Sequence, residues 1–297
     1  MSDVSIITPV FNASHWLPEM LDSVAAQTFT NWEHILTDDG SSDDSLTIIE
    51  SAAARDPRIR LLRMPVNGGP ARARNMAIEA ACGRYLAFLD ADDLWLPRKL
   101  EHCLAFMDKN DCAMVYHAFR YLSVDGNLAG ALVQGPPRLT LKTLHTRRGT
   151  GDCMSMVIDR SKIRDFSFPL THERSHEDWL AWLRVLRKGH IGRLLPEDLG
   201  RYRLSSSSRN ANKLSAARKV WRLYRSEEGL ARLRAVIWWS QYAWNSFWLH
   251  LRSKPSAKRQ SNLAYQVASE RHNTRTKRSS LASPSTKSYR QLETPRD

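Results

Sequence analysis

Short apolar runs alternate with amphipathic stretches through the first third of the chain. Val4 to Thr8 is a β-rich run that Pro9 is expected to end. Leu17, Leu21 and Val24 then fall on one face of a helix expected over about 14–27. Glu33 to Thr37 reads as a second strand, 45–54 as a helix, and Ile59 to Arg63 as a third strand. Ala71 to Ala81 is rich in helix formers, with Gly83 as the stop, and Tyr85 to Leu89 is a fourth apolar run. The order β-α-β-α-β-α-β implies a parallel sheet with right-handed crossovers and helices on its faces.

The pattern is less regular afterwards. Leu96, Leu100 and Leu104 mark a helix expected from Trp95 to Met107. Cys112 to Phe119 is a strand with a hairpin-like turn near Gly126, and 134–151 is a basic, irregular connector or acceptor loop. Met154 to Ile158 is another strand. His176-Glu177-Asp178-Trp179 opens a helix whose apolar face includes Leu180, Trp182, Leu183, Val185 and Leu186.

The pattern places carboxylates. The fourth run leads directly into Asp90, Asp92 and Asp93, and the second into Asp38 and Asp39. In a parallel sheet both ends lie on the carboxyl edge, where open α/β folds bind ligands. Asp-x-Asp there suits a hard divalent cation carrying a diphosphate. Asn67 to Pro70 is a turn by its own chemistry. Glu177 and Asp178, in a first helical turn, complement the helix dipole whatever else they do.

The motifs Ser5-Ile6-Ile7-Thr8-Pro9-Val10-Phe11-Asn12, Thr37-Asp38-Asp39-Gly40-Ser41-Ser42-Asp43, Asn67-Gly68-Gly69-Pro70-Ala71-Arg72-Ala73-Arg74-Asn75 and Phe88-Leu89-Asp90-Ala91-Asp92-Asp93 stand in one order. Together they resemble the GT-A nucleotide-sugar domain of family 2 glycosyltransferases, non-processive and of the bacterial cell-surface polysaccharide type. The resemblance runs to about residue 210. It implies an α/β, Rossmann-like, mostly parallel sheet flanked by helices. Residues 1–110 would bind the nucleotide sugar and 111–210 would carry the acceptor site and base.

By the same resemblance the donor site comprises Thr8, Pro9, Val10, Asp38, Asp39, Arg74, Asp90, Ala91, Asp92 and Arg203. Backbone near Thr8 and Val10, with Asp39, would hold the base, a uracil in most relatives. Asp38 would share that site or only brace the turn. Asp90 would lie near the ribose, and Asp92 would ligate Mn²⁺ or Mg²⁺, with Asp93 the weaker candidate. Arg74 would support the phosphates or the acid cluster. Asp178 would be the catalytic base of an inverting transfer, with Glu177 as the fallback. Ser205 stands where relatives carry a histidine, which leaves Arg203 as that segment's phosphate partner. No Gln-x-x-Arg-Trp follows, which favours addition of a single sugar.

Charge is unevenly spread. Residues 201–297 hold 21 Lys and Arg against 5 Asp and Glu, a net +16, whereas residues 1–200 hold 23 against 26, a net −3. A basic helix is expected over 211–225. From Ala235 to Leu251 no Lys, Arg, Asp or Glu occurs, while Trp238, Trp239, Trp244 and Trp248 do. Flanked by Arg232, Arg234, Arg252 and Lys254, the 230–254 stretch reads as an interfacial helix on an anionic membrane, within a helical region 211–253. Residues 254–297 read as a disordered basic tail. Aromatics gathered in one uncharged run, not interleaved with Lys and Arg, argue against nucleic acid as partner. Four scattered cysteines without a C-x-x-C pair imply reduced thiols and no zinc site. With no signal peptide at the start, the cytoplasmic face of a membrane is the expected location, and a saccharide or lipid-linked saccharide the expected acceptor. A sugar-nucleotidyltransferase shares the sheet architecture but carries a Gly-rich basic loop after the first strand, which Thr8 to Asn12 is not. A basic nucleic-acid- or membrane-binding protein with a degenerate GT-A domain would not need both acid pairs.

Overall fold

The computed structural model describes residues 2–123, 126–145, 152–171 and 177–204, and beyond these only Val236, Ile237, Trp239 and Ser240. His176, the basic helix expected over 211–225, nearly all of 230–254 and the tail from 254 lie outside the described residues. Among the described residues no helix is long and apolar enough to cross a membrane.

The first third follows the apolar pattern. In order come β1 (Val4–Val10), α1 (Leu17–Ala25), β2 (Trp32–Asp38), α2 (Ser45–Arg55), β3 (Ile59–Arg63), α3 (Pro70–Ala80) and β4 (Tyr85–Phe88). β1 pairs in parallel with both β2 and β4, and β2 pairs in parallel with β3. Pro9 does not end β1. Odd-numbered residues of β1 turn their N–H and C=O toward β4, as the Leu89 N–H bond to the Ile7 carbonyl shows. The β4 ladder stops at the Ile7–Phe88 pair, so the missing proline N–H falls where no partner strand remains. On the other side Pro9 and Val10 stay in register with Thr37 and Asp38.

The second half adds β5 (Leu94–Trp95), α4 (Lys99–Lys109), β6 (Met114–Leu122), β7 (Leu128–Val133), β8 (Arg138–Leu139), α5 (Leu141–His145), β9 (Met156–Asp159), α6 (Glu177–Arg187) and β10 (Gly192–Arg203). The sheet order is β3-β2-β1-β4-β9-β6-β10-β5, with β7 on β6 and β8 on β10. β9 runs antiparallel to both β4 and β6, while β6 and β10 are parallel. One sheet therefore joins the two expected halves. Leu94 and Trp95 pair with β10 instead of starting a helix, and α4 begins four residues later. Its buried positions are Lys99, Leu100, Cys103 and Met107; of the expected Leu96, Leu100 and Leu104 only Leu100 is fully buried. The 134–151 connector contains β8 and α5 up to residue 145.

Apolar side chains cover both sheet faces, as a parallel core requires. Val4, Ile6 and Val10 of β1 pack with Leu17, Met20 and Val24 of α1 and with Leu100 and Cys103 of α4. Met20 takes the fully buried place expected for Leu21, because a spacing of three then four centres the α1 stripe on the sheet. Ile7 faces the other way, toward Ala77 and Ile78 of α3 and Trp182 of α6. Gly83 follows α3 but serves close approach: a Cβ there would lie 2.6 Å from the Ser5 backbone nitrogen.

Lys99 is fully buried, with its Nζ 3.6 Å from the Trp95 ring centre and no hydrogen-bond partner among the described residues. Burial pulls its pKa from 10.5 down to about 8. The unfolded chain holds that proton up to about 10.5, so the native state carries a cost at neutral pH that fades as pH rises from about 8 to 10.5. Lys99→Met is therefore expected to be more stable than the parent near pH 7, by up to about 3 kcal/mol, with the gap closing toward pH 10. Denaturant unfolding at both pH values measures this, and a gap independent of pH excludes the buried charge as its source.

Candidate active site

The chain runs outward through β1, β2 and β3 and returns to β4 on the other side of β1. The crevice at the carboxyl ends of β1 and β4 is thus the point where the sheet order reverses, the usual ligand position in such sheets. Pro9 and Val10 end β1 on one side of it, with the Val10 side chain buried in the core. Residues 90–93 leave β4 on the other.

On the β1–β2 side, the Asp39 N–H donates to the Val10 carbonyl at 2.8 Å. The buried Asp39 carboxylate accepts the Gly68 N–H at 2.6 Å and the Gly69 N–H at 2.8 Å. Asn67 Nδ2 donates to the Asp39 carbonyl. Asp39 thereby fixes the Asn67-Gly68-Gly69 loop, in which Gly69 (φ 88°) precedes Pro70 at the start of α3. Asp38 braces its own turn, accepting the Ser41 N–H at 3.2 Å. The Thr8 side chain points away from the crevice, into the β1–β2 layer, where its Oγ1 lies 2.9 Å from His34 Nε2. Burial holds the His34 pKa down to about 3, so this ring is neutral.

The three acids after β4 have three environments. Asp90 pairs with Arg74 at 2.5 Å. Asp93 is buried and accepts the Arg203 N–H at 2.8 Å; burial, then Asp92 and Asp90, push its carboxyl well above the usual range. Asp92, with Ala91 buried beside it, is partly exposed at the edge. Among the described residues no three acidic, histidine or cysteine side chains gather around one point. A partly exposed carboxylate such as that of Asp92 can hold a hard cation whose other oxygens come from a diphosphate and water.

Arg203 belongs to β10 itself, not to a segment after it. Its side chain is 2% exposed. Nε donates to the Asp92 carbonyl at 2.9 Å, Nη2 to Glu19 at 2.7 Å, and the guanidinium lies over Trp16 at 4.4 Å. Trp16 and Glu19 escaped the sequence reading because both look like ordinary positions at a helix start.

Glu177 and Asp178 open α6 beside this turn. Glu177 is buried, its carboxylate 3.6 Å from Arg74. Asp178 is partly exposed and accepts the Trp179 N–H at 2.7 Å. Burial, then the Glu177 charge, raises its pKa to about 7, with the Trp179 N–H and Arg74 acting the other way. Asp152 and Cys153 also lie near enough to act on this group. No periodicity marked them. The structure thus gathers Arg74, Asp90, Glu177 and Asp178 around one ion-pair cluster and sets Asp92 over Arg203, while Asp38 and Asp39 lie across the crevice.

The profile of glycosyl transferase family 2 matches residues 5–162. The putative teichuronic acid biosynthesis glycosyltransferase TuaG of Bacillus subtilis (strain 168) is 36% identical over 243 residues, covering 82% of this chain and 95% of TuaG. The UDP-Glc:alpha-D-GlcNAc-diphosphoundecaprenol beta-1,3-glucosyltransferase WfgD of Escherichia coli is 36% identical over 220 residues, covering 73% and 83%. The fold is that of S. aureus TarS 1–349 in complex with UDP-GlcNAc, with TM-score 0.61, 20% identity, and 82% and 72% of the chains covered. It is also that of the mannosyltransferase PcManGT from Pyrobaculum calidifontis in complex with GDP-Man and Mn²⁺, with TM-score 0.60, 16% identity, and 90% and 79% covered.

Both Asp39 oxygens take backbone donors, so Asp39→Asn turns an amide N–H₂ against an N–H. A stability loss of about 1–3 kcal/mol is expected. Equilibrium unfolding measures it. An unchanged midpoint shows that the Gly68-Gly69 loop does not depend on this carboxylate.

Proposed function

Because the chain belongs to glycosyl transferase family 2, we propose that it transfers a single sugar, with inversion, from a UDP-sugar to a saccharide or lipid-linked saccharide in cell-surface glycan synthesis. The observation that carries this reading is the juxtaposition at the crevice. Asp178, poised near neutrality, stands on α6 next to the Arg74–Asp90 pair of the acid turn. A base with a pKa near the working pH combines a large deprotonated fraction with useful proton affinity. TuaG and WfgD, by their names, support the cell-surface context and the lipid-linked diphosphate acceptor. The UDP-GlcNAc bound to TarS and the Mn²⁺ with GDP-Man in PcManGT support a nucleotide-sugar donor and a divalent cation.

In this reading the donor base lies against Pro9, Val10 and the backbone near Thr8, with Asp38 and Asp39 shaping that wall. Asp90 and Ala91 border the sugar nucleotide. Asp92 would hold Mn²⁺ or Mg²⁺, which when bound would offset negative charge growing on the leaving diphosphate. Asp178 takes the acceptor hydroxyl proton as that oxygen attacks the anomeric carbon. The new C–O bond forms on the face opposite the breaking bond to the nucleoside diphosphate, so one displacement suffices. Glu177 is buried against Arg74 and so is less accessible to an acceptor than Asp178. Arg203, buried on Glu19 and Trp16, keeps the Asp92 backbone in place from beneath. The Trp-rich 230–254 stretch, with its flanking arginines, would bring this site to an anionic membrane bearing the acceptor.

Turnover is expected to rise with pH through about 7, since Asp178 must lose its proton to act. Asp178→Asn should lower kcat by about 10²–10⁴-fold and abolish that limb, with UDP binding retained. A pH–rate profile with UDP-sugars and a lipid-linked saccharide measures both, and parental turnover in the variant rejects Asp178 as the base. Calorimetric titration with UDP, GDP and dTDP, in Mn²⁺ and in EDTA, tests the donor side. Metal-dependent binding of UDP, weakened about tenfold or more in Asp92→Ala, is the expected outcome. Equal binding in EDTA rejects Asp92 as the cation's carboxylate.

A further inference from the structure

Arg74 was expected to touch either phosphates or acids, and its side chain is only 6% exposed. Its guanidinium lies between Asp90, at 2.5 Å, and Glu177, at 3.6 Å. These two acids belong to opposite halves of the site. Asp90 ends the donor strand, whereas Glu177 opens the helix that carries Asp178. Phe168 supports the guanidinium with its ring centre at 5.2 Å. The next residue, Asn75, makes a two-way backbone clasp with Phe168, donating to its carbonyl at 2.8 Å and accepting its N–H at 2.7 Å. α3 is thus fastened both to the acid turn and to the chain that precedes α6. Its own start is fixed at Gly69 by Asp39, on the far wall of the crevice.

We propose that Arg74 is a positioning residue for sugar transfer. It joins the acid turn to the first turn of α6 and sets the place and charge of the Asp178 carboxyl from the donor side. This rests on the reading of Asp178 as the base. Two consequences follow from the geometry. Glu177 is buried beside Arg74, which anchors its carboxylate at the start of α6. Asp178, one residue further, is rotated by about 100° around the helix and is left to face the acceptor. The groups acting on Asp178 are Glu177 and the Trp179 N–H of α6, Arg74 of α3, and Asp152 near the turn at Cys153–Ser155. Arg74 is the cation among them. Removing its charge leaves Asp178 among acids, which favours the protonated, inactive form.

Arg74→Gln and Arg74→Lys separate this from a donor contact, with circular dichroism and thermal unfolding confirming that each is folded. Arg74→Gln should shift the acidic limb of the pH–rate profile upward by at least about half a pH unit. Its kcat at pH 7 should fall about tenfold or more and recover in part at higher pH. Affinity for UDP with Mn²⁺ should stay within about threefold. Arg74→Lys keeps the charge but cannot span both acids, so the limb should stay near the parental pH while kcat falls. An unmoved limb in Arg74→Gln overturns the proposal. So does a loss that appears wholly in UDP affinity, which would make Arg74 a phosphate ligand. Should Arg74→Gln not fold, Arg74→Lys decides: kcat lowered with UDP affinity kept supports the proposal, and parental kcat rejects it. Parental turnover in Asp178→Asn removes the base and the proposal together. An inactive Asp178→Asn beside an unmoved Arg74→Gln limb removes the role of Arg74 alone.

Discussion

Three carboxylates at the end of one buried strand repel one another, and the structure resolves the conflict by giving each a different fate. Asp90 is neutralised by Arg74. Asp93 is taken into the interior, where its carboxyl is driven toward the protonated form and receives the Arg203 N–H. Asp92 stays at the edge with its backbone carbonyl held by the Arg203 guanidinium. Two arginines from distant parts of the chain therefore hold this turn, Arg74 through the Asp90 carboxylate and Arg203 through the Asp93 carboxyl and the Asp92 carbonyl.

The sheet is arranged to serve that turn. β1 and β4 lie side by side and end at different heights, so β1 runs past Phe88 to Val10 while β4 has already turned into the acids. Asp39 links the β1–β2 wall to the start of α3, and α3 delivers Arg74 back to Asp90. The β1–β2 wall, the acid turn and the start of α6 are thus connected through one eleven-residue helix.

Much of this was legible in the sequence. Strand-ending acids, the helix start at Glu177 and the parallel order of the first four strands follow from apolar runs and turn chemistry. What escaped depends on partners remote in sequence. Pro9 reads as a breaker unless the neighbouring strand is known to stop at Phe88. Leu94 and Trp95 read as helix until β10 supplies a pairing edge. β9 carries no local mark of its antiparallel direction. Asp39 reads as a ligand group, and only the loop at Gly68 and Gly69 shows that each of its oxygens also takes a backbone N–H. Arg203 reads as a phosphate partner until Glu19 and Trp16, far earlier in the chain, are seen to enclose it.

That enclosure bears on how the molecule comes to be folded. The Arg203 N–H reaches Asp93 across 110 positions, and its guanidinium reaches Glu19 across 184. Contacts so distant in sequence form late, after the loop-closure entropy of the intervening chain has been met. A chain emerging from the ribosome therefore carries its acid turn uncapped until almost the whole sheet has been made. The acid turn thus gains its Arg203 contacts only once β10 has been added, and it stays incomplete in every shorter chain.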